Sequence, residues 1–251
     1  MFDLIDECGK EIKGKNYTID THFRYQISCA KFNVKTDLQV KEFSLCKGEH
    51  YLFYAPLLHV AGEESENYLA VQIATAFKKM LKSKGYNKQS RVLIACLGNP
   101  NIQADMLGKV VFDKTNSFCL ENANIFKICP NIGLFTGIQS GDLIKMIVKC
   151  EKIDIVVMID SLATSSLDRL GKTVQLVSGG MTPGSGVNRF GQAVDEKFLA
   201  TKCVSIGAPF LINSCNFVPE KDEVLLCCKD VAENIDRIGT VISSALGKVL
   251  I

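Results

Sequence analysis

Apolar residues fall into three kinds of run along this chain. The first kind is unbroken. Val156-Val157-Met158-Ile159 is apolar at every position, then gives way to Asp160, Ser161, Leu162, Ala163 and Thr164. A strand covered on both faces has this continuous pattern, whereas a half-buried strand alternates. Arg91-Val92-Leu93-Ile94-Ala95-Cys96 has the same form and runs into a turn-rich stretch, Leu97 to Asp105. The second kind has helical period. Leu69, Ile73, Phe77 and Leu81 recur every fourth residue, with Ala76 and Met80 beside them, and predict an amphipathic helix. Ser65 is its expected N-cap and Gly85 its expected stop. Leu143, Ile144, Ile147 and Val148 predict a further helix capped near Ser140, and Val231, Ile235, Ile238, Ile242 and Ala245 a last one. The third kind alternates. Residues 24–45 do so in parts (Tyr25, Ile27, then Phe32, Val34) and predict antiparallel strands, joined by another at 51–55. Together these form a β-ribbon or edge addition. Shorter strands are predicted at 125–129, 172–177 and 203–207, a helix at 105–116, and a polar connection at 216–224. Residues 1–22 fit either a short helix or a loosely held arm.

The order strand, helix, strand leading to residue 159 is that of a parallel βαβ unit, so the expected class is α/β with a mostly parallel sheet. No repeat or low-complexity linker interrupts the chain. One domain is expected over 1–251, with an arm and ribbon at 1–60 and the core at 61–251.

Composition narrows the picture. The chain has 251 residues, 47% hydrophobic and 22% charged, which suits a packed core. A net charge of +2 without a basic block gives little reason for a nucleic-acid surface. No apolar run approaches a membrane span, and the acidic start Met1-Phe2-Asp3-Leu4-Ile5-Asp6-Glu7 is not expected to be a signal peptide. The 11 cysteines include no Cys-x-x-Cys and read as reduced cytosolic thiols. The three histidines, His22, His50 and His59, show neither zinc spacing nor a serine-triad elbow, so no metal or cofactor is expected from them.

Open α/β sheets place ligands at the carboxyl ends of their strands. Asp160 and Asp105 both follow core strands. Either can simply cap the next helical turn, since aspartate is a good N-cap. Together they suggest more: two carboxylates facing one cleft split their pKa values, so that one serves as acid and the other as base, or they hold a divalent ion. Ser161 and Thr164 are small and polar, leaving room for a ligand. Asn99 lies in a tight turn with spare amide donors. The segment Ser178 to Arg189 is glycine-rich. Its glycines either permit turns or bring backbone N–H groups to a substrate carbonyl, and Gly180, Thr182, Gly184, Ser185 and Gly186 are the candidate substrate or oxyanion positions. It is neither a Walker loop nor a dinucleotide fingerprint.

Several stretches, in order, resemble the spore germination protease family. Leu97-Gly98-Asn99-Pro100-Asn101 through Asp105-Met106-Leu107-Gly108 is similar to that family's Gly-Leu-Gly-Asn-Trp-Asn…Pro-Asp-Ala-Leu-Gly-Pro motif. Thr136 to Lys145 resembles its Thr-Gly-Ile-Glu-Thr…Ile-Ile-Lys segment, Ile159-Asp160-Ser161-Leu162-Ala163 its Ile-Asp-Ala-Leu-Ala, and Thr173-Val174-Gln175-Leu176 its Thr-Thr-Ile-Gln-Ile. Pro183 to Val187 and Ser205 to Pro209 also have counterparts. The resemblance runs from about residue 50 to 213.

The resemblance implies a three-layer α/β fold of the phosphorylase/hydrolase-like type, as in the hydrogenase maturation endopeptidases. It implies an endopeptidase that degrades small acid-soluble spore proteins, in the cytoplasm of the spore core or forespore, working as a homo-oligomer without a cofactor. The family's catalytic aspartates fall on Asp105 and Asp160. There are departures. Thr182 stands where the family has histidine, one glycine before Asn188 is missing, and Ala104 and Lys109 replace prolines. Two alternatives remain open: a metal-assisted maturation-type peptidase, and an inactive homologue that binds spore proteins.

Overall fold

A computed structural model gives the fold and describes residues 17–21, 24–43, 47–116, 122–131, 133–184, 192–214 and 224–251. Its strands are β1 (Tyr17–Thr21), β2 (Ser28–Val34), β3 (Gly48–Tyr54), β4 (Val92–Cys96), β5 (Ile125–Ile128), β6 (Ile155–Thr164), β7 (Thr173–Val177), β8 (Lys202–Asn213) and β9 (Leu225–Leu226). Its helices are α1 (Asp37–Phe43), α2 (Leu58–Ser83), α3 (Leu107–Lys114), α4 (Gly133–Thr136), α5 (Ser140–Cys150), α6 (Glu196–Leu199) and α7 (Val231–Leu250). The described strands make one sheet in the order β1-β2-β3-β7-β8-β6-β4-β5, with β9 on the end of β8. The pairs β4–β5, β4–β6 and β6–β8 are parallel. β1, β2, β3 and β7 form an antiparallel wing that joins the parallel half at β8.

Period-two alternation along β6 builds both faces at once. Ile155, Val157 and Ile159 pack with Phe77, Val111 and Ile242 beneath α2, α3 and α7. Val156 and Met158 point the other way, toward Ile144 and Val148 of α5 and Leu199 of α6. The result is an α/β fold with helices on both faces of a central sheet, as the sequence led us to expect, but the described sheet is mixed rather than mostly parallel, because the antiparallel wing and β9 extend the parallel half. Each fully buried large side chain in these layers contributes about 1.5–3 kcal/mol. No described helix is long and apolar enough to cross a membrane.

Several local expectations need correction. Residues 37–43 form a helix, not a strand. The Gln39 N–H donates to Thr36 Oγ1 at 3.2 Å while Gln39 Oε1 accepts from the Thr36 N–H at 3.1 Å, a reciprocal capping box that outweighs the local alternation. Residues 17–21 are a strand rather than part of a helix. Ser65 is not the N-cap of α2: the helix starts at Leu58 and breaks at Gly62, whose φ/ψ of 69/−163 is open to glycine alone. The carbonyl of Leu58 then accepts from Arg237 Nη1 on α7 at 3.3 Å, while the Ser65 hydroxyl donates to Gly62 O at 2.7 Å. Gly85 does end α2. At φ +89 it lets its own N–H reach Lys82 O and the Tyr86 N–H reach Leu81 O, both at 3.0 Å, a Schellman close. The cap of α5 is Gln139, and the Ser140 hydroxyl donates to Asn131 O instead. Residues 216–223 of the expected polar connection lie outside the described residues.

Candidate functional site

β4 connects to β5 through α3 on one face of the sheet, and β5 connects to β6 through α5 on the other. Beyond β4 the chain runs outward to its neighbour β5, whereas beyond β6 it runs to β7 on the opposite side of the sheet order, so it leaves these two neighbouring strands in different directions. The crevice at such a divergence is where open α/β sheets hold ligands. Asp105 and Asp160 both belong to this end.

The Asp105 turn is built by close backbone approach. Leu97 still pairs with β6, its N–H donating to Ile159 O at 2.7 Å. Gly98 then turns at φ +108, and a Cβ there would lie 2.3 Å from Asp105 O. Gly108 plays the matching part in α3, where a Cβ would lie 2.0 Å from Leu97 O. The two glycines let the turn and the start of α3 close onto the end of β4. Within the turn the Asn99 N–H donates to Asp105 Oδ2 at 2.8 Å, and Asn99 Oδ1 accepts from the Asn101 N–H at 3.0 Å. The Asn99 amide is thus engaged by Asp105 rather than spare. Asp105 itself is half-buried at the end of a single 3-10 turn, Gln103–Asp105.

Asp160 is not at the end of its strand. β6 keeps its parallel register with β8 through Asp160↔Gly207, Ser161↔Ala208 and Leu162↔Pro209, and after a bulge reaches Thr164↔Ile212. Asp160 is 5% exposed and its Oδ1 accepts the Ser161 N–H at 2.9 Å, so it caps no helix. Ser161 and Thr164 are also buried and do not line open space. The long β8 holds these polar residues in a sheet that the hydropathy pattern did not extend past Ile159. Ser161 turns its hydroxyl toward α3, accepting the Leu107 N–H at 3.4 Å. β6 and the Asp105 turn are thereby joined.

One row across the sheet reads Asp160, Gly207, Gln175, Leu52. Gln175 is buried on the Asp160 face, and Gly207 between them has no side chain; Leu162 leans over it, 2.6 Å from where a Cβ would stand. Thr173, two residues along β7, is buried with a hydroxyl that has no hydrogen-bond partner. Neither was singled out from sequence. The available signal was a polar residue at each alternate position of an otherwise apolar strand.

The glycine-rich segment leaves β7 and crosses toward α5. Gly180 is there for packing, since a Cβ would lie 2.0 Å from Val194 O. The amides of Gly179 and Met181 are bonded to Val177 O and Val194 O, and the Ser205 hydroxyl holds Gly179 O at 3.0 Å. Thr182 is half-buried, and Gly184 has φ +76. Pro183 borders a cavity of about 260 Å³ beside Gln139, Ser140 and Asp142 at the start of α5. Ser185 and Gly186 lie outside the described residues. His50 is fully buried and its Nδ1 accepts the Ser178 N–H at 3.4 Å, which anchors the start of this segment. Burial pushes the thiol of Cys129, just past β5, upward against weaker pulls from Asn131 and Lys109, so it stays protonated at neutral pH. Among the described residues no group of three or more His, Cys, Asp or Glu side chains is arranged to hold a metal ion.

The family model described as germination protease matches residues 6–229. The germination protease of Oceanobacillus iheyensis is 26% identical over 190 residues, covering 71% of this chain and 52% of that protein. That of Clostridium acetobutylicum is 23% identical over 231 residues, covering 87% and 71%, and that of Bacillus mycoides 29% over 164 residues, covering 61% and 45%. The chain spans about half the length of the first and third of these relatives. Among solved structures, the NiFe-hydrogenase maturation protease HycI from Thermococcus kodakarensis KOD1 is similar at a TM-score of 0.41 and 16% identity, covering 62% of this chain and 92% of that one. With the family model spanning nearly the whole sequence, this chain belongs to the germination protease family.

Proposed function

We propose that the protein is an endopeptidase in which Asp105 and Asp160 act as a pair on the scissile amide. The observation that supports this reading is that both aspartates lie beside the carboxyl end of β4, Asp105 in the turn that follows it and Asp160 on β6 one residue past the last β4 pairing, with their supports linked through Ser161 and Leu107. In this reading the two carboxylates come close enough to share a single proton, because like charges oppose double ionisation. The ionised member takes a proton from water, which attacks the carbonyl carbon. The protonated member gives its proton to the leaving nitrogen as the carbon–nitrogen bond breaks. The pair titrates as a unit, so the two roles belong to the pair.

The substrate class is small acid-soluble spore proteins, in the cytoplasm of the spore core or forespore, with the protein working as a homo-oligomer. The test is incubation with such a protein, followed by mass spectrometry of the products. Asp105→Asn and Asp160→Asn should each lower cleavage by at least about a thousandfold, as removal of one member of a catalytic pair does. Full activity of the double Asn variant sinks the reading. Loss of cleavage on chelation, restored by a divalent ion, would make the pair metal ligands. Stable binding without fragments would make the protein a binder.

A further inference from the structure

The pair needs a fixed separation, and one residue touches the supports of both members. The Ser161 N–H donates to Asp160 Oδ1 at 2.9 Å. Its hydroxyl accepts the N–H of Leu107, the first residue of α3 and two residues beyond Asp105, at 3.4 Å. Met106, the N-cap of α3, makes no side-chain capping bond, and β6 supplies an acceptor for the first of the amides that the start of this helix leaves without an intrahelical partner. Both contacts are shielded, since Ser161 is 8% exposed. On the far side the Asp105 carboxylate is held by the Asn99 N–H, in a turn pinned to β4 by Gly98 and Gly108. A shift at the start of α3 therefore moves Asp105 against Asp160.

We propose that Ser161 is a positioning residue that couples the two aspartates: its backbone fixes Asp160, and its hydroxyl fixes the turn that carries Asp105. The catalytic consequence rests on the peptidase reading above; the coupling itself does not.

Ser161→Ala in the full chain tests it. Carboxyl-carbon NMR follows Asp105 and Asp160, assigned with the two Asn variants, and amide exchange follows Leu107. The Leu107 amide, left buried without its acceptor, should exchange about tenfold faster. The Asp105 carboxyl resonance should move with it. Against a small acid-soluble spore protein, kcat should fall about tenfold with KM unchanged, the mark of an interaction made at the transition state. An unmoved Asp105 resonance with unchanged Leu107 exchange overturns the proposal, as does an effect confined to KM. Failure of the unsubstituted protein to cleave would count against the peptidase reading alone, and the NMR result would still decide the coupling.

Discussion

The parallel half of the sheet and its antiparallel wing treat polar residues in opposite ways. β4 and β6 are buried at every position, between helices on both faces. Asp160, Ser161 and Thr164 are polar exceptions inside that layer. A buried polar group must be bonded, or it is unfavourable by about 1–3 kcal/mol, and Asp160 and Ser161 are tied to the backbone or to each other. In the wing, the first four positions of β2 are only half-buried. Lys31 and Glu49 pair across β2 and β3 where water reaches both. Position in the sheet, more than residue type, decides whether a carboxylate is a candidate for chemistry or a solvated partner.

The sharpest way to break this contrast is to pry open the turn on the parallel side. Gly108→Ala places a Cβ against the backbone of Leu97, which cannot rotate away. Overpacking against backbone should destabilise the protein by more than about 4 kcal/mol, at the upper end of such effects. A urea midpoint close to that of the unsubstituted protein would mean that α3 is looser than the packing requires. Next come the two cores. Phe77→Ala, in the large cluster beneath α2 and α7, should lose about 4 kcal/mol, and Phe32→Ala, in the small cluster of the wing, about 3 kcal/mol, because a thinner cluster relaxes into the gap. Equal or reversed losses would show that the wing is packed as tightly as the parallel half.

The smallest effect is Glu49→Gln. Burial works against the charged form of Glu49, but hydrogen bonds from Lys31 and Tyr51 and the charges of Lys31 and Lys79 outweigh it and hold the carboxyl below its usual value. A lowered folded-state pKa gives stability above the unfolded value that is lost as pH falls through the folded one. Unsubstituted protein should therefore exceed Glu49→Gln by about 0.5 kcal/mol at pH 7, the range of screened pairs, with the gap closing under acid or salt. A gap that persists at low pH would point to packing rather than charge.

Much of this was legible in the pattern of residues. Leu69, Ile73, Phe77 and Leu81 marked α2 because a helix packed on one face must repeat that way. Val92 to Cys96 and Ile155 to Ile159 marked the central strands because both faces were covered. What stayed hidden depended on partners distant in sequence. Nothing near Asp160 announces that β8 runs beside β6 all the way to Thr164, so the strand looks finished at Ile159 from sequence. The break at Gly62 is filled by Arg237, far along the chain. The capping box at Thr36 and Gln39 was readable and competed with an alternating pattern that looked like a strand.

The ladder between β3 and β7 joins residues 51 and 176, whereas that between β4 and β5 joins residues 92 and 125. The first loop is roughly four times the second, or two doublings, and each doubling of a flexible loop adds only about 0.6 kcal/mol of closure entropy. Distance along the chain thus weakens the wing very little. It acts on time instead, since non-local pairing must wait for its loop to close before any contact rewards it. Docking of the wing onto the parallel half through β3 and β7 is therefore the step expected late, while the wing's own pairings, Thr21 with Ser28 and Val34 with Gly48, are local.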